Sequence, residues 1–304
     1  MPHVLLPTAL SLLLIGLVGC ADASDIEEMT PAPEAEAAAT APPDSVTEAR
    51  FESLMTEARS ARWHQNALGE VVQQVGLQFL EAPYLEHTLD EGPTETLVTR
   101  LDGFDCVTLV EAALAISRGI VQQNYDFDTF AGHIQDQRYR GDATPGYCAR
   151  LHYFSEWIAN NHERGVIEDI TEELGGEKVD RPLVFMGENR DAYPRFAEND
   201  SLYACIEDME ATLQATNHHW HVIPEDDIEA VADQIEAGDI IGLATDIDGL
   251  DIAHTGLAYR ADDGSLGLLH ASLQGEVLVS PDLQSYIKQI DHQTGIVVAR
   301  PLAQ

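Results

Sequence analysis

From Val46 to Phe79 apolar residues return every three or four positions: Phe51, Leu54 and Met55, then Leu68, Val71, Val72, Val75 and Phe79. That spacing predicts helix. Pro83 ends it, because the residue before a proline disfavours helical backbone. Leu97 to Leu101 is a short strand candidate leading into a Gly103-Phe104-Asp105 turn. From Cys106 to Ile120 apolar side chains occupy most of the circumference, which predicts a helix buried in a core rather than lying on a surface. Asp105 stands at its N-cap position, with Thr108 three residues on and Glu111 in the first two turns, and Gly119 closes it. A further stripe of Leu151, Phe154, Trp157 and Ile158 predicts a helix over 147–161. The stretch from Gly165 to Asp233 is mixed, polar and turn-rich, and predicts no definite element.

Beyond it the pattern shortens. The turn Ala237-Gly238-Asp239 precedes a buried strand at 240–244. Strands follow at 254–259, 266–272 and 276–280, then a helix near 283–290 and a last strand at 296–300. No internal repeat is present.

The N-terminus reads differently. Val4 to Gly19 is an apolar run that contains Pro7 and is short for a membrane span. It ends in Leu17-Val18-Gly19-Cys20, which resembles a bacterial lipobox, with 1–19 as the signal segment and Cys20 as the lipidated residue. Only His3 stands where such signals carry positive charge. The alternative is an ordinary cleaved signal peptide with an incidental cysteine, and either reading places the mature protein outside the cytoplasm, in the periplasm or outer envelope. Residues 20–47 form an Ala-, Pro- and Glu-rich tether without Lys, Arg or aromatic residues, too poor in apolar surface to fold. Residues 48–304 are the folded domain.

The 304 residues carry 16 basic against 53 acidic side chains, a formal charge of -37. Nucleic acid is excluded as a partner, since phosphate contacts need clustered Lys and Arg. Lys178 and Lys288 are the only lysines, and a surface so acidic and Lys-poor resembles proteins of salt-loving organisms. A merely acidic secreted protein is the other reading. With Cys20 lipidated, Cys106, Cys148 and Cys205 remain. Cys148 and Cys205 either pair in a disulfide or stay buried and unpaired; no spacing rule decides.

The candidate chemistry is a thiol at a helix N-terminus followed about 150 residues later by two strand histidines, His254 and His270. Unpaired N–H groups at a helix N-terminus lower a thiol pKa, and a neighbouring imidazole can take the proton and return one to a leaving amine. A five-residue loop, Ala261 to Ser265, centred on Asp263, sets His254 opposite Ser272 and diagonal to His270, all on one face. A two-residue Asp263-Gly264 turn would shift the register and send the histidines to opposite faces. His218, His219 and His221 lack a carboxylate or thiol at metal-ligand spacing and read as an exposed loop.

Several short motifs occur in order between Gly69 and Arg300: Ala82-Pro83-Tyr84, Phe104-Asp105-Cys106-Val107-Thr108, Arg138-Tyr139-Arg140, Arg150-Leu151-His152-Tyr153 followed by Trp157-Ile158, Phe185-Met186, Gly249-Leu250-Asp251 with His254-Thr255-Gly256, and His270-Ala271-Ser272. On these the chain resembles the NlpC/P60 superfamily of papain-like cell-wall hydrolases, and within it the DUF1460 branch of N-acetylmuramoyl-L-alanine amidases. The resemblance implies an α+β, papain-like fold. In it a buried helix bearing the nucleophilic cysteine packs on a mostly antiparallel sheet, with added helical elements at the substrate site. It implies an exported, membrane-anchored cysteine amidase acting on peptidoglycan fragments, with a preference for 1,6-anhydro-muropeptides and no cofactor or metal. Cys106 is then the nucleophile, His254 the base and acid, and His270 its orienting partner. Tyr84, Arg150, His152, Tyr153, Asp251 and Ser272 are the substrate-binding candidates; Arg150 could instead neutralise a buried acid. The alternatives are a γ-D-Glu–diaminopimelate endopeptidase sharing the triad, and a non-catalytic lipoprotein that binds wall fragments.

Overall fold

The computed structural model describes residues 39–40, 44–92, 94–141 and 146–303, all within one unit spanning 35–304. The signal segment, Cys20 and most of the acidic tether lie outside the described residues. No described helix is long and apolar enough to cross a membrane.

The helices are α1 (Ser45–Ala61), α2 (Leu68–Leu77), α3 (Cys106–Val121), α4 (Phe127–Arg138), α5 (Phe154–Glu163), α6 (Phe185–Glu188), α7 (Pro194–Ala197), α8 (Asp200–Ala215), α9 (Ile228–Val231) and α10 (Leu283–Ile287). The strands are β1 (Ala39–Thr40), β2 (Thr96–Leu97), β3 (Ile167–Asp169), β4 (Glu177–Val179), β5 (Trp220–Pro224), β6 (Ile240–Thr245), β7 (Ile252–Arg260), β8 (Leu266–Ala271), β9 (Val277–Ser280) and β10 (Gln293–Pro301). Helices lead and strands follow, so the fold is α+β. The main sheet runs β4-β5-β10-β6-β7-β8-β9, with β3 also paired to β10, and every pairing in it is antiparallel.

Side-chain alternation divides the core. Ile240, Ala244, Leu257, Leu269, Val297 and Ala299 join the helices α1 to α5 in one apolar cluster. Ile241, Leu243, Ala258, Leu268, Ile296 and Val298 belong to a second, closed by Leu283 and Ile287 of α10. The sheet is thus covered on both faces, which explains the near-continuous apolar runs in β6 and β10.

Several expected elements shift. The helical run over 46–79 is two helices: Arg62 takes a left-handed φ of 58° and a short turn, Trp63–Gln65, buries the indole before α2 starts. α1 begins at Ser45 because the Asp44 carboxylate accepts the N–H groups of Val46 and Thr47. The strand over 97–101 contracts to β2, and the helix over 147–161 to α5 preceded by a turn at Tyr147–Ala149. Gly119 sits inside α3 and does not close it; a Cβ there would stand 2.8 Å from the Asn124 carbonyl, so its role is close approach. The unassigned stretch 165–233 supplies β3, β4, β5 and the helices α6 to α9.

One motif acts in the scaffold through both of its arginines. Arg138 places its guanidinium 2.7 Å from the buried Glu111 carboxylate of α3 and donates to the Val98 carbonyl. Arg140 grips Glu156 of α5 through two hydrogen bonds and reaches the Cys148 and Arg150 carbonyls. Each removes a charge from water only with its partners in place, and together they fix α3, α4, α5 and the 147–152 segment against one another.

Candidate active site

Cys106 is the first residue of α3. Asp105 caps the helix by accepting the Thr108 N–H at 2.8 Å while the Thr108 hydroxyl accepts the Asp105 N–H at 3.0 Å, a reciprocal capping box. The backbone N–H groups of Thr255, Val107 and Cys106 favour the charged sulfur. The expectation of a lowered thiol pKa is nevertheless reversed. Burial first, then the adjacent Asp105 carboxylate, push the thiol up to about 12. A helix terminus is worth only about 0.3–1 kcal/mol to an anion at an exposed site, less than the desolvation of a sulfur anion held largely out of water.

The β7–β8 hairpin meets the wide-loop condition. Arg260 pairs with Leu266 and Leu257 with Leu269, a register that puts His254 opposite Ser272 and diagonal to His270. His254 Nε2 lies 2.8 Å from His270 Nδ1, and His270 Nε2 lies 3.1 Å from the Ser280 hydroxyl. Gly256 permits this approach, since a Cβ there would come within 2.9 Å of the His270 Cβ. Burial lowers His254 to about 4, and burial with the neighbouring His254 lowers His270 to about 3, so both rings are neutral near pH 7. With Nε2 engaged, Nδ1 is the nitrogen of His254 left for the cleft.

Cys106 and His254 line one cleft of about 490 Å³, shared with Tyr84, Arg150, His152, Trp157 and Asp251. Tyr84 is held by hydrogen bonds joining its segment to Phe104 and Gly275. Burial, then the charges of Cys106 and Asp105, raise its phenol to about 12, so it presents an O–H donor. Asp251 is buried; one carboxylate oxygen accepts the Ser155 N–H at 2.6 Å at the start of α5. The other, Oδ1, has no hydrogen-bond partner of good geometry among the described residues. Arg150 lines the cleft with its charge already answered: it donates to the Leu89 carbonyl and to Asp90 at 2.5 Å and faces Glu95 at 3.7 Å. His152 Nε2 lies 2.8 Å from the Tyr147 carbonyl, and burial holds the ring neutral.

Two candidates stand elsewhere. Tyr153 is turned away from the cleft, its hydroxyl donating to Glu210 and accepting the Met186 N–H. Ser272 closes the β8–β9 turn, its hydroxyl accepting the Gln274 N–H. Both corrections have one cause: buried hydroxyls take the nearest polar partner. His218 is also not an exposed loop residue. It is half-buried, with Nε2 2.9 Å from the Ser155 hydroxyl, while His221 belongs to β5. Among the described residues no group of three His, Cys, Asp or Glu side chains could hold a metal ion. Cys148 and Cys205 are disulfide-bonded, tying the cleft-wall segment to α8. Sequence reading passed over Ser280, although the same strand arithmetic reaches it: His270 pairs with Leu278, so Ser280 is its diagonal neighbour. It also passed over Tyr286, whose ring packs 4.8 Å from that of His270.

The AmiA-like family model, described as N-acetylmuramoyl-L-alanine amidase-like, matches residues 74–296. A crystal structure of an N-acetylmuramoyl-L-alanine amidase from Bacteroides uniformis ATCC 8492 is 32% identical, with a TM-score of 0.71 over 77% of this chain and 99% of that one. A Bacteroides fragilis structure carrying a xylanase designation is 36% identical, with a TM-score of 0.69 over 75% and 99%. Protein LPG0564 from Legionella pneumophila str. Philadelphia 1, assigned to DUF1460, shares the fold at 21% identity, with a TM-score of 0.62 over 84% and 95%. A comparison with curated proteins finds no match.

Proposed function

The chain belongs to the AmiA-like, N-acetylmuramoyl-L-alanine amidase-like family, and from that premise we propose that it is an exported cysteine amidase of papain-like type, cutting the muramoyl–L-alanine bond of peptidoglycan fragments. The observation that carries the cysteine mechanism is the cleft that a free thiol at a helix N-terminus shares with an imidazole whose far nitrogen is held by a second imidazole.

His254 Nδ1 takes the Cys106 proton as the sulfur attacks the lactyl carbonyl carbon. The oxyanion that forms faces the Cys106 N–H at the start of α3 and the Tyr84 hydroxyl. The imidazolium then gives its proton to the departing L-alanine nitrogen, leaving a thioester. Water attacks the thioester with His254 again as base; the lactyl carboxylate leaves and the thiol regains its proton. Because the resting thiol and imidazole are both neutral, proton transfer accompanies attack and no preformed ion pair is required.

Asp251, with one oxygen unpaired, is the proposed acceptor for a donor group of the muropeptide, and Arg150 holds another wall of the same cleft. Digestion of 1,6-anhydro- and reducing-end muropeptides, with products weighed by mass spectrometry, tests both bond and sugar preference. Release of intact stem peptide beginning at L-alanine is the expected result, with faster turnover of the anhydro form; cleavage inside the stem peptide would refute it. The lipid anchor on Cys20 is proposed from the N-terminal motif alone. Radiolabelled palmitate should enter the native chain and be lost in Cys20→Ala.

A further inference from the structure

We propose that Ser280 is a positioning residue of this site: its hydroxyl oxygen accepts the Nε2–H of His270 and thereby selects the tautomer that leaves His254 Nδ1 unprotonated. The inference rests on the reading of Cys106 and His254 as nucleophile and base.

The chain of groups has a direction. A neutral imidazole carries one N–H, so each ring donates at one nitrogen and accepts at the other. At one end stands the Cys106 thiol, which lines the same cleft as His254. A thiol is a weak acceptor, so facing an imidazole it is better placed to give its proton than to take one. A thiol that donates needs His254 Nδ1 bare, which puts the His254 proton on Nε2. That proton goes to His270 Nδ1 across 2.8 Å. His270 must then carry its own proton on Nε2, and the Ser280 oxygen at 3.1 Å receives it.

The surroundings offer His270 little else. It is fully buried, and Tyr286 of α10 covers it with the two ring centroids 4.8 Å apart. Ser280 ends β9, fixed by its pairing with Leu268, which keeps the hydroxyl diagonal to the imidazole. Without the hydroxyl, the Nε2–H would be a buried donor with no acceptor. Moving the proton to Nδ1 relieves that, but reverses the His270–His254 bond and places the His254 proton on Nδ1, where it blocks the base.

The full chain labelled with 15N-histidine reports the tautomer directly, with His270→Gln assigning the signals. The native protein should show His270 protonated at Nε2 and bare at Nδ1. In Ser280→Ala a form protonated at Nδ1 should appear. By analogy with other groups that orient a histidine, kcat on a muramoyl–L-alanine muropeptide should fall about 10- to 100-fold with KM within about twofold. Ser280→Thr, which keeps the hydroxyl, should restore both readouts. His270 protonated at Nδ1 in the native protein would overturn the inference, as would a loss of activity in Ser280→Ala with an unmoved tautomer. Turnover surviving in Cys106→Ala would overturn the parent reading and this one with it. Normal dependence on Cys106, combined with unchanged kcat and spectrum in Ser280→Ala, overturns this one alone.

Discussion

The two walls of the cleft are built on opposite electrostatic plans. On the thiol wall, Cys106, His254 and His270 are neutral, and a hydrogen bond joins the two imidazoles. On the facing wall, Arg150 and Arg195 are paired with Asp90 and Glu95 and neutralised in place. A neutral relay keeps its protons exchangeable at small energetic expense, whereas a paired ion cluster resists any change of charge. The first arrangement suits chemistry and the second suits holding a shape. Asp251 lies between these plans, anchored by one oxygen and open at the other.

The sharpest way to break this contrast is to remove the thiol wall's sulfur and imidazole. Cys106→Ala and His254→Ala should each lower kcat/KM by at least about 1,000-fold while leaving thermal unfolding close to the native profile. Arg150→Met should do the reverse. It leaves Asp90 without its cation and Glu95 with Arg195 alone, and should reduce stability by about 3–5 kcal/mol in urea unfolding; a loss under 1 kcal/mol would show that the charges reach water. The bond between Cys148 and Cys205, 57 residues apart, constrains the same wall. The double Cys→Ser variant should lose about 2–4 kcal/mol by the same measurement.

Asp251→Asn should raise KM about tenfold with kcat little changed, because the amide can still accept from Ser155 while presenting a donor to the cleft. An unchanged KM would remove Asp251 from substrate contact. The smallest expected effect is with pH. His254 must be neutral to act as base, and its pKa is lowered to about 4. Activity should therefore be present above that value and lost as pH falls through it. With the thiol raised to about 12, no alkaline limb is expected near neutrality, and kcat/KM should be flat between about pH 5.5 and 9. An acid limb at about 6.5, the ordinary histidine value, would mean that water reaches the relay. In the same vein, iodoacetamide should alkylate Cys106 slowly at pH 7, since the thiolate is the reacting form.

Much of this site could be read along the chain. Asp105 and Thr108 predicted the cap, the apolar circumference of 106–120 predicted a buried helix, and the loop at 261–265 related His254 to His270 because strand registers obey simple counting. Legibility ended where partners are distant in sequence. Nothing local indicates that Arg150 meets Asp90 and Glu95, that Tyr153 meets Glu210, or that His218 meets Ser155. The stretch 165–233 was opaque for a related reason. Its short elements have little periodicity of their own and are held by contacts such as Gly249 carbonyl to the Val184 and Phe185 N–H groups.

The amino-acid sequence by itself therefore determined which groups could react and which strands would carry them, because helix capping and strand register are local, periodic constraints. The tertiary structure decided how those groups are charged. Burial and the neighbouring Asp105 turned an expected thiolate into a neutral thiol, and buried acids turned Arg150 from a free cation into a fixed one. Protonation follows the solvent exposure and charges around each group, and these exist only once distant segments have packed together.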